Sequence, residues 1–219
     1  MTTVTEKIGA GLVKELREKS GAPMGDCLKA LQETKGNIED AFVVLRKRGI
    51  ASAAKKSARS TNEGAVGNYI HAGGKIGVMV ELNCESDFVA RTDDFQDLLK
   101  DIAMHIAASD PRYVRQEDVT PEDMEREREI YKAQAAATGK PPAVVEKIAE
   151  GKMAKFYEEV CLLEQPFIKE QSISIKELIA QKVGKLGENI TVRRFARFKV
   201  GDPNWTVATT KLVEGTSAE

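Results

Sequence analysis

Ile76-Gly77-Val78-Met79-Val80-Glu81-Leu82-Asn83-Cys84 sets Ile76, Val78, Val80, Leu82 and Cys84 at alternate positions, the two-residue period of a strand with one buried face. Glu85 to Thr92 then turn the chain. Thr92 is a helix cap for Asp93-Asp94, and Phe95, Leu98, Leu99, Ile102 and Ile106 repeat with helical spacing until Asp110-Pro111. Upstream, Val66 to His71 reads as a second strand, joined through the Gly73-Gly74 turn. Downstream, Ile190 to Val200 is a β-branched and aromatic run that can complete the sheet. A small antiparallel sheet backed by helices predicts an α+β core.

Residues 4 to 49 have a different period. Val4, Ile8, Leu12 and Leu16 form one stripe, and Met24, Cys27, Leu28 and Leu31 form a second after Pro23. Ile38, Ala41, Phe42 and Leu45 form a third, opened by Asn37 as cap and expected to end at Gly49. Three short helices over residues 1–50 make a domain near the lower size limit for independent folding. Residues 51–63, rich in Ala, Ser, Lys and Arg, read as a basic, solvated and partly helical linker. Within the core, residues 64–200, Thr120-Pro121 starts a charged helix. Pro141-Pro142 precedes another with Val144, Ile148, Phe156, Val160 and Leu163, and the two read as a helical hairpin. Ser174 and Glu177 are spaced as a capping box. The tail, residues 201–219, has no apolar stripe; Trp205 stands alone, with Val207, Leu212 and Val213 scattered beyond it.

Composition excludes several classes. A net charge of -1 gives no global field for nucleic acid or a membrane surface. Three dispersed cysteines, Cys27, Cys84 and Cys161, argue against a disulfide framework or zinc site and for a reducing compartment. The start shows no apolar signal stretch, and no run approaches the ~20 residues that span a bilayer, so a cytoplasmic protein is expected. No glycine-rich phosphate cradle, nucleophile elbow or zinc-binding His pair occurs, and His71 and His105 are the only histidines. A binding protein, without cofactor, metal or catalytic residue, is the expectation. Arg193, Arg194, Arg197 and Lys199 divide between both faces of the last strand, which favours ion pairs with the protein's own carboxylates over RNA.

Two runs carry a resemblance: Leu16-Arg17-Glu18-Lys19-Ser20-Gly21-Ala22-Pro23-Met24-Gly25-Asp26-Cys27 and Val80-Glu81-Leu82-Asn83-Cys84-Glu85-Ser86-Asp87-Phe88-Val89-Ala90-Arg91. Shorter matches occur at Ile102 to Ser109, Glu164 to Phe167 and Gly187 to Ile190. In order over about residues 5 to 200, the chain resembles the elongation factor Ts family. Pro23 and Gly25 depart from the glycine and methionine expected there, and Ser86 replaces threonine but keeps the hydroxyl.

The resemblance implies a ubiquitin-associated-like three-helix domain, a linker and an α+β core. It also implies a non-enzymatic guanine nucleotide exchange factor that binds elongation factor Tu in its GDP form. Ser86, Asp87, Phe88 and Val89 would enter that partner and disturb its Mg²⁺ and phosphate site. Arg17, Ala22 and Met24 would be the N-terminal contacts. By its residues alone Phe88 reads as a core side chain, while Met24 reads about equally as core or as a contact. His105 reads as a partly buried, hydrogen-bonded histidine and is carried also as a partner contact. Longer family members have two related core subdomains, whereas here the sheet-and-helix segment occurs once, which predicts a noncovalent homodimer. The competing reading is a ubiquitin-associated-like adaptor outside translation, since fold alone does not fix function.

Overall fold

A computed structural model describes residues 8–139, 141–203 and 206–210. Its first three helices are α1 (Ala10–Ser20), α2 (Met24–Glu33) and α3 (Ile38–Lys56). Gly21 ends α1 in the left-handed region (φ 67°), where its N–H bonds the Arg17 carbonyl. The Asn37 side chain caps α3 by accepting from the amides of Glu39 and Asp40 at 3.0 and 3.2 Å. Val13, Leu16, Cys27, Ala30, Leu31 and Ala41 fill the bundle core. Met24 and Leu28, expected in the second stripe, are 49% and 37% exposed. The buried face of α2 is Cys27, Ala30 and Leu31, which leaves Leu28 at its margin and Met24 on the first turn outside it. Val4 lies outside the described residues.

The stop expected at Gly49 does not occur, and α3 continues to Lys56. Gly49 sits where α3 packs on a later helix: a Cβ on it would lie 3.6 Å from the Ala180 carbonyl oxygen, an ordinary van der Waals contact. Helix propensity, which disfavours glycine by about 1 kcal/mol, is overridden by that packing.

Next come β1 (Glu63–Ile70), β2 (Ile76–Cys84), the single turn α4 (Asp87–Ala90) and α5 (Asp93–Ser109). The helical hairpin is α6 (Pro121–Ala136) and α7 (Pro142–Val160), followed by β3 (Pro166–Phe167), β4 (Glu170–Ser174), α8 (Ile175–Leu186), β5 (Ile190–Lys199) and β6 (Thr206–Thr209). The four-stranded sheet is antiparallel with order β1-β2-β5-β6, and β3 and β4 form a separate ribbon. This is an α+β architecture with an N-terminal three-helix region. Neither the ribbon nor β6 was expected from sequence, because both are short and carry little apolar alternation. Trp205, Leu212 and Val213 lie outside the described residues.

The two faces of the sheet differ. Val78, Val80, Leu82, Cys84, Ile190, Val192 and Phe195 are buried under α5 and α8. On the opposite face Val66, Ile70, Met79 and Val207 are between 51% and 65% exposed. A bulge explains how β5 keeps its pattern: Glu81 pairs with Arg194 but Leu82 with Val192, so Arg193 is the extra residue. Two of its arginines make the carboxylate pairs the charge reading expected, while Arg193 bonds a backbone carbonyl. Arg194 bonds the Glu81 carboxylate at 2.6 Å, Arg193 donates to the Thr210 carbonyl, and buried Arg197 reaches Asp110 at 2.9 Å and the Ala107 carbonyl at 3.2 Å.

Candidate partner-binding site

The β2–α4 connection is held from one side by the segment that enters β5. The Glu188 carboxylate accepts from the amides of Glu85 (3.1 Å) and Ser86 (2.9 Å) and from the Ser86 hydroxyl (2.6 Å). In the other direction Glu85 accepts from the Asn189 amide at 2.6 Å, with Arg59 at 3.4 Å. That backbone hydrogen bond, more than the Arg59 charge, holds the Glu85 carboxyl below its ordinary value. The Asn189 side chain donates in turn to the Arg59 carbonyl at 2.8 Å. Burial, with the Glu188 charge nearby, pushes the Cys84 thiol up, so this cysteine stays protonated inside the core.

The following turn is pinned as well. Ser86 Oγ accepts from the Val89 amide at 3.4 Å, and Thr92 Oγ donates to the Val89 carbonyl at 2.8 Å while capping α5. Gln96 donates to the Ala90 carbonyl at 2.7 Å. Ala90 is buried and Val89 packs on the main core, so the four-residue helix has its inner side committed. Phe88 points away and is 78% exposed. Asp87 beside it pairs with Arg91 at 2.9 Å in an exposed i,i+4 arrangement. A phenylalanine left in water on an anchored turn is an apolar protrusion ready to be buried by something else.

Arg17, Ala22 and Met24 come together at the α1–α2 turn. Arg17 is exposed, Met24 half-exposed, and Ala22 packs against the bundle core with its amide on the Ser20 hydroxyl at 3.2 Å. His105 is elsewhere and fully buried. Its Nε2 meets Gln165 Oε1 at 2.9 Å, and Gln165 Nε2 donates to the Glu159 carbonyl at 2.7 Å. Gln165 therefore presents an acceptor to the ring, Nε2 carries the proton, and Nδ1 is left without a partner. Burial lowers the imidazole pKa against the raising effect of Gln165, so the ring is neutral. In this place His105 joins α5 to the segment before β3 and reaches no surface. Glu188, Asn189 and Arg59, which fix the Phe88 turn, had no assigned role from sequence; the only signal was that Glu188 and Asn189 sit in a matching run.

Among the described residues no group of three or more His, Cys, Asp or Glu could hold a metal ion, and no helix is long and apolar enough to cross a membrane. Fold and site together define an α+β protein that presents two surface features from a rigid frame, an anchored aromatic and a helix-bundle turn. The family model for elongation factor TS matches residues 51–202. Elongation factor Ts of Koribacter versatilis is 70% identical over 212 residues, covering 97% of each chain. That of Solibacter usitatus is 61% identical over 196 residues, covering 90% of this chain and 92% of its own, and that of Carboxydothermus hydrogenoformans is 56% identical over 195 residues. The chain belongs to the elongation factor Ts family and has a role in translation elongation.

Proposed function

We propose that this protein is a guanine nucleotide exchange factor for elongation factor Tu, binding its GDP form and promoting GDP release without cleaving a bond. The observation that carries the reading is Phe88, exposed at 78% on a turn fixed from both sides. An apolar wedge on a preorganised frame gives up little entropy on docking. Phe88 enters the partner near its Mg²⁺ and phosphate site, and Asp87 brings a carboxylate to the same place. Val89 and Ser86 hold the turn. Mg²⁺ tolerates little distortion of its octahedral shell, so a small displacement of its neighbours loosens ion and nucleotide together. Exchange factor and GDP then weaken each other's binding reciprocally. Arg17, Ala22 and Met24 supply the second contact. The carboxylate pairs of Arg194 and Arg197, with Arg193 bonded to Thr210, support a protein partner over nucleic acid, and a factor with this role works in the cytoplasm.

The bare sheet face supports self-association. Val66, Ile70, Met79 and Val207 present one apolar surface, and a second copy placing the same face against it makes a two-layer, two-fold symmetric sandwich. Light scattering should then show twice the 24.0 kDa chain mass, and a 24.0 kDa species alone removes the dimer. For the exchange reading the test is Phe88→Ala. Stimulated GDP release should slow at least about tenfold, roughly 1.4 kcal/mol in the barrier, with the fold intact. An unaltered rate, or a chain that unfolds, returns Phe88 to a structural role.

A further inference from the structure

The last turn of α8 touches both proposed contact surfaces. At its crossing with α3, a Cβ placed on Gly184 would lie 3.5 Å from the Gly49 Cα, so the two backbones meet with no side chain between them. Neither glycine has a positive φ, and a Cβ at either position would make only ordinary van der Waals contact, so the crossing is close but has room for a methyl group. One residue on, the Lys185 side chain lies across the α1–α2 turn, its Cδ 3.3 Å from where a Gly21 Cβ would stand. Its ammonium bonds Asp94 at 2.7 Å, and Lys182 bonds the same carboxylate at 3.0 Å. Asp94 is in the first turn of α5, directly after the Phe88 turn. Glu188, just beyond α8, holds Ser86. Arg46 of α3 meets Glu177 of α8 at 3.4 Å and closes the other side.

From this juxtaposition we infer that the end of α8, through Gly184 and Lys185, is a positioning bracket. It fixes the α1–α2 turn relative to the Phe88 turn so that one partner molecule meets both at once. The inference rests on the proposed exchange function and adds a cause for its efficiency. With the bracket intact, docking of one contact presents the other at high effective concentration; with it opened, the second contact becomes an independent event. A cleft of about 280 Å³ lies between the bundle and α8, lined by Ala22, Phe42, Gly49 and Gly184, so the surfaces meet at the crossing and part around it.

The test begins in the free protein. Spin labels on Lys14→Cys in α1 and Lys100→Cys in α5 should give one narrow distance distribution. It should broaden or shift in Gly184→Leu, whose side chain extends past the Cβ toward Gly49, and persist in Gly184→Ala, whose Cβ makes an ordinary contact. In binding, Gly184→Leu should weaken affinity for elongation factor Tu at least about tenfold, and Gly184→Ala should restore it. That loss should vanish in a Met24→Ala background, because a bracket has no effect once one contact is absent; a general loss of stability would be additive instead. Lys185→Ala removes the strut without crowding the crossing and should give the same pattern, smaller, even if Gly184→Leu fails to fold. An unchanged distribution in both variants, or additive losses, overturns the bracket. Failure of the exchange reading shows separately, as Phe88→Ala and Met24→Ala each leaving GDP release unaltered, and the distances judge the bracket in that case too.

Discussion

Phe88 and Phe95 stand on consecutive helices, each opened by a hydroxyl cap, Ser86 for α4 and Thr92 for α5. One ring is 78% exposed and the other wholly buried. The difference lies in helix length. With 17 residues, α5 lays Phe95, Leu98, Ile102 and Ile106 along one face against the sheet. With four residues, α4 has a single inward direction, taken by Val89 and Ala90, and Phe88 falls on the outside. Residue type does not tell a core ring from an exposed one; the amount of regular structure behind it does.

The largest test of this contrast is Phe95→Ala, which should cost about 3–5 kcal/mol in denaturant unfolding. Phe88→Ala should stay within about 0.5 kcal/mol of the parent, and a comparable loss at both positions would erase the distinction. Glu188→Ala comes next. It strands two amides and a hydroxyl at the base of α4 and should cost about 1–3 kcal/mol, with faster hydrogen exchange at the Ser86 amide as the direct readout. Thr92→Ala should cost about 1 kcal/mol through loss of the α5 cap, without moving Phe88. The smallest effect is the pH response of the buried interior. Burial holds His105 below its ordinary 6.5, so the unfolded chain binds more protons as pH falls through that value. The stability contributed by neutral His105 is complete above pH 6.5 and declines below it. Thermal unfolding followed from neutral to mildly acid pH should show this slope, and a His105→Gln chain should lack it. Asp94, held below the usual carboxylate range first by its hydrogen bond to Lys185, contributes stability that is lost only under more acid conditions.

Much of the fold was legible because its periods are clean. The alternation Val78, Val80, Leu82, Cys84 and the stripe Phe95 to Ile106 appear in the structure as buried faces. Caps at Asn37, Thr92, Thr120 and Ser174 are where the hydroxyl or amide side chains put them. What failed was local. Gly49 carries a helix-stop signal, but a packing partner more than a hundred residues away keeps the helix going, and no window around Gly49 contains that information. Residues 51 to 56, expected as part of a partly helical linker, are helical as the continuation of α3. Met24 fits a stripe numerically but lies outside the buried face of α2, which is Cys27, Ala30 and Leu31. The exposure of Phe88 followed only from the resemblance; its burial was the better guess from chemistry alone. The anchors Glu188 and Asn189 act across the fold on Glu85 and Ser86, a pairing that a linear reading does not contain.

The uninterrupted α3 makes residue count a structural variable. Ala41 is embedded in the bundle core and Ala53 packs against the main core, on one rigid rod. Each residue along that rod advances the axis by about 1.5 Å and turns it by about 100°. Exchanging one small side chain for another between these points leaves the phase of the two cores intact. Deleting a single residue there throws them out of step by more than a quarter turn, so the relative orientation of the helix bundle and the main core is stored as a length.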